Sequence, residues 1–293
     1  MKRIFIVIFL FAVNDIAAGA EVLPEPFPMT SRSTASGGAF VSVTDDVGSI
    51  FINPAGFVLL DRGGVEANFF GGSIDDADWI ASIAAAYPYR RTVIGAGWYR
   101  ENGRDDEYGD VVSLAVASRF MRGTVGSFLS GGASLDLLRV NKGEAEIAGR
   151  ESADKISASI GAMVRPLPVI SIAFSMRNIG GSELHGNDGG ILWQRLTRWG
   201  VAFLWRERIY LMFERDYIGG EVSTHYGFLV KSGTPLELMG GFCRERVSAG
   251  LRWRRKAYNI ALSFKATGDG RTLVSSSVGI AFGKGSSKGK YQY

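Results

Sequence analysis

Metal chemistry would need clustered histidines, cysteines and carboxylates, and acyl transfer would need a serine with an acid and a base in a set order. The chain has two histidines, His185 and His225, far apart in sequence, and one cysteine, Cys243. No glycine-any-serine-any-glycine run is followed along the chain by the acid and then the histidine that a nucleophile elbow requires. The glycine- and lysine-rich stretch Gly283–Lys290 misses phosphate-loop spacing, and Tyr291 stands where that loop needs serine or threonine. These residues predict no catalytic centre, no metal and no cofactor; the chain reads as a non-enzyme. The histidines are expected in solvated loop and interior positions, and Cys243 as a neutral strand residue without a disulfide partner.

What remains is charge at a regular interval. Arg119, Arg165, Arg198, Arg206, Arg252, Arg254 and His225 fall on one face of a two-residue alternation whose other face is oily. A basic side chain held against lipid costs about 2–4 kcal/mol at mid-depth, so this face must look away from any membrane. The arginines could select anionic solutes, or could pair with acids on the same face such as Glu214 and Glu237. Structural networks are the favoured expectation over an anion-selective channel.

The elements that place these residues are strands. In Lys256–Lys265, Tyr258, Ile260, Leu262 and Phe264 share a face, opposite Ala257, Asn259, Ala261 and Ser263. Such alternation recurs near 65–70, 79–87, 92–100, 111–121, 125–139, 154–165, 168–177, 197–206, 208–216, 222–231, 234–243, 246–254, 256–266 and 272–282. That makes fourteen segments, an even number, mostly of the roughly nine to eleven residues that a tilted strand needs to cross a bilayer. Connections after even segments are tight, as at Pro88–Arg91 and Pro166-Leu167, whereas Glu101–Asp110, Val140–Ala153 and Asn178–Leu196 are longer. Short turns on one side and longer loops on the other are the asymmetry of an outer-membrane barrel, although Arg244–Glu245 and Thr267–Arg271 are short. Aromatic residues at segment ends, among them Trp79, Tyr87, Trp199, Trp205 and Tyr258, suit interfacial girdles. Glycine pairs Gly131-Gly132 and Gly240-Gly241 mark either bulges or close approach to a bulky interior group.

Lys2 and Arg3, the apolar run Ile4–Val13 and Ala18-Gly19-Ala20 have the layout of a cleaved secretory signal peptide. The run is too short for a spanning helix, and no later window reaches spanning length, so membrane residence requires strands. Near-neutral hydropathy, 39 glycines and few histidines fit a wall that alternates apolar and small or polar residues. Losing Lys2, Arg3 and Asp15 takes the formal charge from +4 to +3, too slight to argue for nucleic acid.

Residues 21–63 do not alternate and are too long for a simple lead-in, so they read as a plug. Gly37-Gly38 permits positive φ or close backbone approach, Thr44, Asp45 and Asp46 offer caps for a short helix, and Asn53 followed by Pro54 is a second helix start. The run Ser36-Gly37-Gly38-Ala39-Phe40, then Asp45-Asp46, then Asn53-Pro54-Ala55-Gly56-Phe57, resembles the N-terminal signature of FadL-like outer-membrane proteins, particularly their short PorV/PorQ branch. The resemblance covers about Ser36 to Leu60. It implies that Asn53, Pro54, Ala55 and Gly56, with Gly37, Gly38, Asp45 and Asp46, lie inside the barrel as a gating hatch. The chain is shorter than fatty-acid transporters of that family and lacks their large external loops.

The sequence therefore predicts an all-β transmembrane antiparallel barrel of about fourteen strands with an N-terminal plug. Residues 1–20 form the signal peptide, 21–63 the plug, 64–282 the barrel and 283–293 a flexible periplasmic tail. Expected partners are outer-membrane lipid, the outer-membrane assembly machinery, and a small hydrophobic ligand or a secretion-complex protein. The expected function is transport of a small hydrophobic or amphipathic ligand across the cell outer membrane. The alternatives are a non-transport platform for secretion or surface attachment and, more distantly, a soluble secreted β protein.

Overall fold

Alternation sets which face each residue takes, but pairing decides whether the sheet has an edge. The computed structural model describes residues 30–71, 79–102, 108–123, 126–141, 152–180, 184–185, 191–244, 246–266 and 272–283. The expected signal peptide and the tail beyond 283 lie outside the described residues. The first seven strands are β1 (Gly63–Gly71), β2 (Trp79–Tyr89), β3 (Thr92–Asn102), β4 (Tyr108–Arg122), β5 (Phe128–Asn141), β6 (Ser152–Leu167) and β7 (Ile170–Ile179). Two short strands, β8 (Leu184–His185) and β9 (Ile191–Trp193), pair with each other within the long connection. The wall continues through β10 (Leu196–Trp205), β11 (Ile209–Ile218), β12 (Glu221–Lys231), β13 (Leu236–Cys243), β14 (Arg246–Arg255), β15 (Tyr258–Ala266) and β16 (Thr272–Phe282). Each wall strand pairs antiparallel with the next, β10 following β7, and β16 returns to β1 from Gly63↔Phe282 to Gly71↔Val274. Fourteen strands thus close into a barrel, which removes the unpaired edge that an open sheet would present.

The wall faces two solvents. Along β4, Val112, Leu114 and Val116 are exposed, while Ser113, Ala115 and Ala117 are buried. Along β15, Tyr258, Ile260, Leu262 and Phe264 point out, and Ala261, Ser263 and Lys265 point in. A continuous exposed band of Ile, Leu, Val and Phe around a closed barrel is a lipid-facing surface.

Register slips once between β4 and β5, at Arg119/Met121, and twice between β6 and β7, at Ala158/Ile160 and Val164/Leu167. It runs unbroken through Gly240-Gly241 in β13 and through Gly131-Gly132 in β5. Neither glycine pair is a bulge. The strands at β4–β6 run 15, 14 and 16 residues, whereas β13 has 8, so the wall is taller at β4–β6.

Residues 30–62 fill the interior. The helix α1 (Ser31–Ala35) lies against β13–β16 and β1, whereas the 3-10 turns Val47–Phe51 and Pro54–Leu59 lie against β1–β6. This differs from the helix expected behind Thr44–Asp46. The α-helical turn comes earlier, with Thr30 as its cap accepting from Ser33 N at 3.2 Å, and Asp46 makes no side-chain bond to the backbone of the turn it precedes. Asp46 is instead engaged by Arg32 and by the Ser49 hydroxyl.

Candidate functional site

The plug is a short chain with few backbone ladders of its own, so side chains must hold its shape. Gly37 and Gly38 adopt φ of +68° and +92°, turning the chain after α1. A Cβ on Gly37 would lie 2.6 Å from the Phe242 backbone nitrogen, and one on Gly38 2.5 Å from His225 Nδ1, so only glycine fits against the wall here. The Phe40 and Val41 N–H groups both donate to Glu214 Oε2 at 2.7 Å. Asn53 ties the two halves of the plug together: its Nδ2 donates to Val41 O at 3.1 Å, and its Oδ1 accepts from Ala55 N at 3.1 Å, capping the turn that Pro54 begins. Gly56 is packed onto Thr44, where a Cβ would overlap the hydroxyl. The eight residues singled out by sequence, Gly37, Gly38, Asp45, Asp46, Asn53, Pro54, Ala55 and Gly56, thus belong to one lumen-filling body.

The wall is cut to receive it. A Cβ on Gly95 would meet the Phe57 ring at 2.5 Å, and on Gly97 the Phe51 ring at 2.6 Å. On Gly132 it would meet Ala55 N and Pro54 C at 2.6 Å, on Gly200 Val41 Cγ1 at 2.6 Å, and on Gly250 Ala35 Cβ at 2.6 Å. Gly161 and Gly241 face Asn53 and Ser36 still more closely. By contrast, Gly131 and Gly240 face outward beneath the rings of Phe120 and Phe228. Sequence reasoning noticed only the two glycine pairs. The signal it passed over was glycine recurring at inward-phase positions of strands that otherwise alternate cleanly.

Charge is gathered on the opposite side of the lumen. Arg32, buried in α1, pairs with Asp45, with Asp46 at 3.3 Å and with Glu237 at 3.7 Å, and Arg252 reaches the same Glu237 oxygen at 3.5 Å. Burial raises the Asp45 carboxyl, but the charges of Arg32, Lys231 and Arg252 and the Arg32 hydrogen bond together outweigh it and hold the carboxyl well below the ordinary carboxylate range. For Asp46, burial outweighs Arg32 and its pKa is raised. Farther round, Arg198 meets Asp216 at 3.3 Å and Glu214 at 3.7 Å. His225 lies on the inward face, where the alternation puts it, and is buried against the plug, with Nδ1 2.7 Å from Gly37 O and Nε2 3.4 Å from Asp216. Cys243 lies 3.8 Å from that ring.

Of the other predicted lumen residues, Arg119 donates to Val58 O at 2.8 Å, and Arg119 and Arg165 flank the Phe128 ring at 5.1 and 5.0 Å. Arg254 lines the cavity at the tight-turn mouth, though exposed. Arg206 is a correction. It sits in the turn after β10 at φ +50°, exposed, with its guanidinium 5.0 Å from the Trp205 ring, because the strand alternation ends one residue before it. Arg32 and Arg177 were missed by sequence. Arg177 is fully buried and donates to Phe51 O, on the same inward phase of β7 as Ser171, Ala173 and Ser175.

The lumen therefore has two unlike halves. Along β2–β6 the plug residues Ile50, Phe51, Phe57 and Val58 join Val111, Leu138, Ala115 and Phe128 of the wall in one apolar cluster. That cluster starts near the loop end at Val111 and Leu138. It ends at Val58, Val93 and Phe128, which line a cavity of about 810 Å³ at the tight-turn mouth. Along β10–β14 a second, smaller apolar cluster, in which Ala35, Ala39, Phe40, Val43 and Ile52 pack on Ala202, Met212, Leu229 and Met239, is joined by the ion pairs of Arg32 and by the Glu214 bonds.

No protein-family model and no curated protein sequence matches the chain. Among solved structures it is similar to the CymD monoaromatic hydrocarbon channel, with a TM-score of 0.65 at 10% identity over 88% of this chain and 98% of that one. The toluene transporter TbuX of Ralstonia pickettii gives 0.62 at 12% identity, over 87% of this chain and 98% of that one. A FadL homologue of Pseudomonas aeruginosa gives 0.58 at 10% identity, over 89% and 99%. These likenesses show a shared barrel fold over nearly the whole of each chain.

Proposed function

We propose that this chain is an outer-membrane channel for a small hydrophobic or amphipathic ligand, with residues 30–62 as its hatch. The observation that carries this reading is the split lumen. The larger apolar cluster runs beside the wall from the loop end to the tight-turn cavity, crossed by hydrogen bonds from Arg119 and Ser130 to hatch carbonyls, while the ion pairing of the hatch with the wall gathers at Arg32 and Glu237 on the other side. Movement of the two 3-10 turns away from β2–β6 would part mainly apolar surfaces, at the cost of the Arg119 bond to Val58 O, and leave Asp136 held by the Ser113 and Ser159 hydroxyls of the wall. The surface gained is one that an apolar solute would wet more readily than an ion. The barrel fold shared with hydrocarbon channels supports this choice, and the motif at Ser36–Leu60 supports a place among FadL-like proteins near the PorV/PorQ branch. Export through residues 1–20, with tight turns facing the periplasm, belongs to the same reading.

The test is uptake. Cells lacking other hydrocarbon channels would express this chain, and the initial rate of toluene entry would be followed with and without it. Faster entry than in control cells, at equal amounts of folded barrel, is the expected result. Equal rates would remove transport and leave the filled lumen to be explained by a platform role in secretion or surface attachment.

A further inference from the structure

The two rims of the barrel carry charge differently. At the loop end three arginines each face an acid: Arg100 and Asp110 at 2.7 Å, Arg139 and Asp154 at 3.0 Å, Arg244 and Glu221 at 3.8 Å. At the tight-turn end Arg90 and Arg91 close the β2–β3 hairpin, Arg122 ends β4, and Arg206 and Arg208 flank the turn before β11, all exposed. Arg254, Arg255 and Lys256 are exposed in the same way between β14 and β15. Among the described turn residues of this rim the acids are Asp61, which lies 3.8 Å from Arg62, and Glu207. The local excess is larger than the net charge of the whole chain, which is +4.

The placement of that excess gives it a purpose. Arg90, Arg206 and Lys256 sit at φ of +59°, +50° and +51°, where hairpin turns favour glycine or asparagine. Glu207 at +60° in the turn of Arg206 and Arg244 at +54° at the loop end share this geometry, so it is the count and placement of the cations that set this rim apart. The cations also stand beside the lipid-facing wall. Arg90 lies 5.3 Å from the Tyr89 ring and Arg206 5.0 Å from that of Trp205, both rings being exposed on the outer surface along with Tyr87 and Tyr258. Interfacial aromatics mark the headgroup level of a bilayer.

We propose that the tight-turn rim is a docking surface for anionic phospholipid headgroups, whose phosphates the guanidinium groups hold at the level of the Tyr89–Trp205 belt. Guanidinium matches phosphate oxygens in a fork, and basic residues beside a bilayer select anionic lipid. A soluble acidic protein would be served by charge anywhere on the mouth. Charge placed against outward aromatics favours the membrane instead. With tight turns on the periplasmic side, the leaflet concerned is the phospholipid leaflet of the outer membrane. The proposal goes beyond ligand transport and needs only that the barrel is membrane-embedded.

The test uses the full barrel reconstituted in phosphatidylcholine vesicles doped with brominated phosphatidylglycerol or with brominated phosphatidylcholine, read by quenching of tryptophan fluorescence. The quadruple variant Arg206→Gln, Arg208→Gln, Arg255→Gln, Lys256→Gln leaves every residue lining the tight-turn cavity in place. The wild-type barrel is expected to favour phosphatidylglycerol at least about fivefold, the effect of roughly one surface charge. The variant should lose most of that preference while keeping its heat-modified mobility on gels. Raising NaCl to about 1 M, where the screening length is about 3 Å, should weaken the preference of the unaltered protein, so the proposal is tested even if the variant folds poorly. Equal quenching by the two lipids in low salt, or a preference unchanged by both salt and substitution, overturns it. Capture of polyglutamate by the barrel in phosphatidylcholine vesicles, without lipid selectivity, overturns it in favour of an acidic periplasmic partner.

Discussion

Substituting Gly132 and Gly131 by alanine in separate proteins places the same methyl group on adjacent residues of β5, facing opposite directions. At Gly132 the new Cβ falls 2.6 Å from Ala55 N and from Pro54 C and 2.8 Å from Pro54 O, all backbone atoms, against the 3.4–4 Å of ordinary contact. The hatch must move away from the wall by about 1 Å, and overpacking of this kind costs about 1–3 kcal/mol. The same movement stretches the 3.2 Å bond from Ser130 Oγ to Ala55 O, worth about 1 kcal/mol. The lost bond opposes the movement, so on balance the displaced hatch is favoured by about 1 kcal/mol, roughly fivefold in its population. At Gly131 the Cβ meets the Phe120 ring at 2.6 Å, but that side chain is 63% exposed and can swing aside. There, replacing glycine within a strand is neutral or slightly favourable, by up to about 1 kcal/mol. Conductance in planar bilayers is the assay, with unheated gel mobility as the control for an intact barrel. Gly132→Ala should open more often, and Gly131→Ala should match the parent protein. Equal conductance of the two variants, with both barrels intact, would refute the claim that strand glycines hold the hatch in place.

Replacing Glu214 by leucine strands the Phe40 and Val41 N–H groups, at about 1–3 kcal/mol each, so hydrogen exchange at both amides should accelerate sharply while the wall strands stay protected. The Asp45 carboxyl is held below its ordinary range, so its contribution is complete above the unfolded pKa of about 4 and is lost only as pH falls through the lower folded value. Acid titration of hatch opening should therefore show a latch intact at pH 4 in the parent protein, with the Asp45→Asn variant loosened throughout the range above it. A double-mutant cycle of Arg32→Met and Asp45→Asn, followed by hatch opening, should give coupling well outside additive behaviour; additive effects would show that the pair is not a latch. The whole barrel should resist unfolding in unheated detergent gels and shift mobility on boiling, whereas a single unshifted band would contradict closure.

The wall was legible because lipid imposes a strict rule. A strand such as Tyr258–Ala266 must present Tyr258, Ile260, Leu262 and Phe264 to one side, and that period survives any change in the loops. Expected and observed strand limits differ by at most about three residues: pairing with β5 carries β4 back to Tyr108, and β5 begins at Phe128, three residues later than expected. The interior obeys no such rule. Asn53 and Pro54 announced a turn through local chemistry, but nothing near Arg32 in sequence says that it meets Glu237, and nothing near Phe40 names Glu214 as its acceptor. Those pairings are set by closure of the whole wall. Arg206 misled because alternation says which face a strand residue takes and is silent about where the strand stops.

The spacing of these contacts along the chain bears on the order of assembly. Ser31 bonds to Ser275, and Phe40 to Glu214, so a plug that precedes every wall strand in the chain finds part of its seat in the second half of the wall. The plug cannot settle against β13–β16 until those strands exist, and once β16 has joined β1 the lumen is enclosed. Contacts of such long range make folding slow and expose unpaired strands meanwhile. The plug is therefore best placed as a core around which the wall is wound, its side chains choosing the curvature at which the final seam can close.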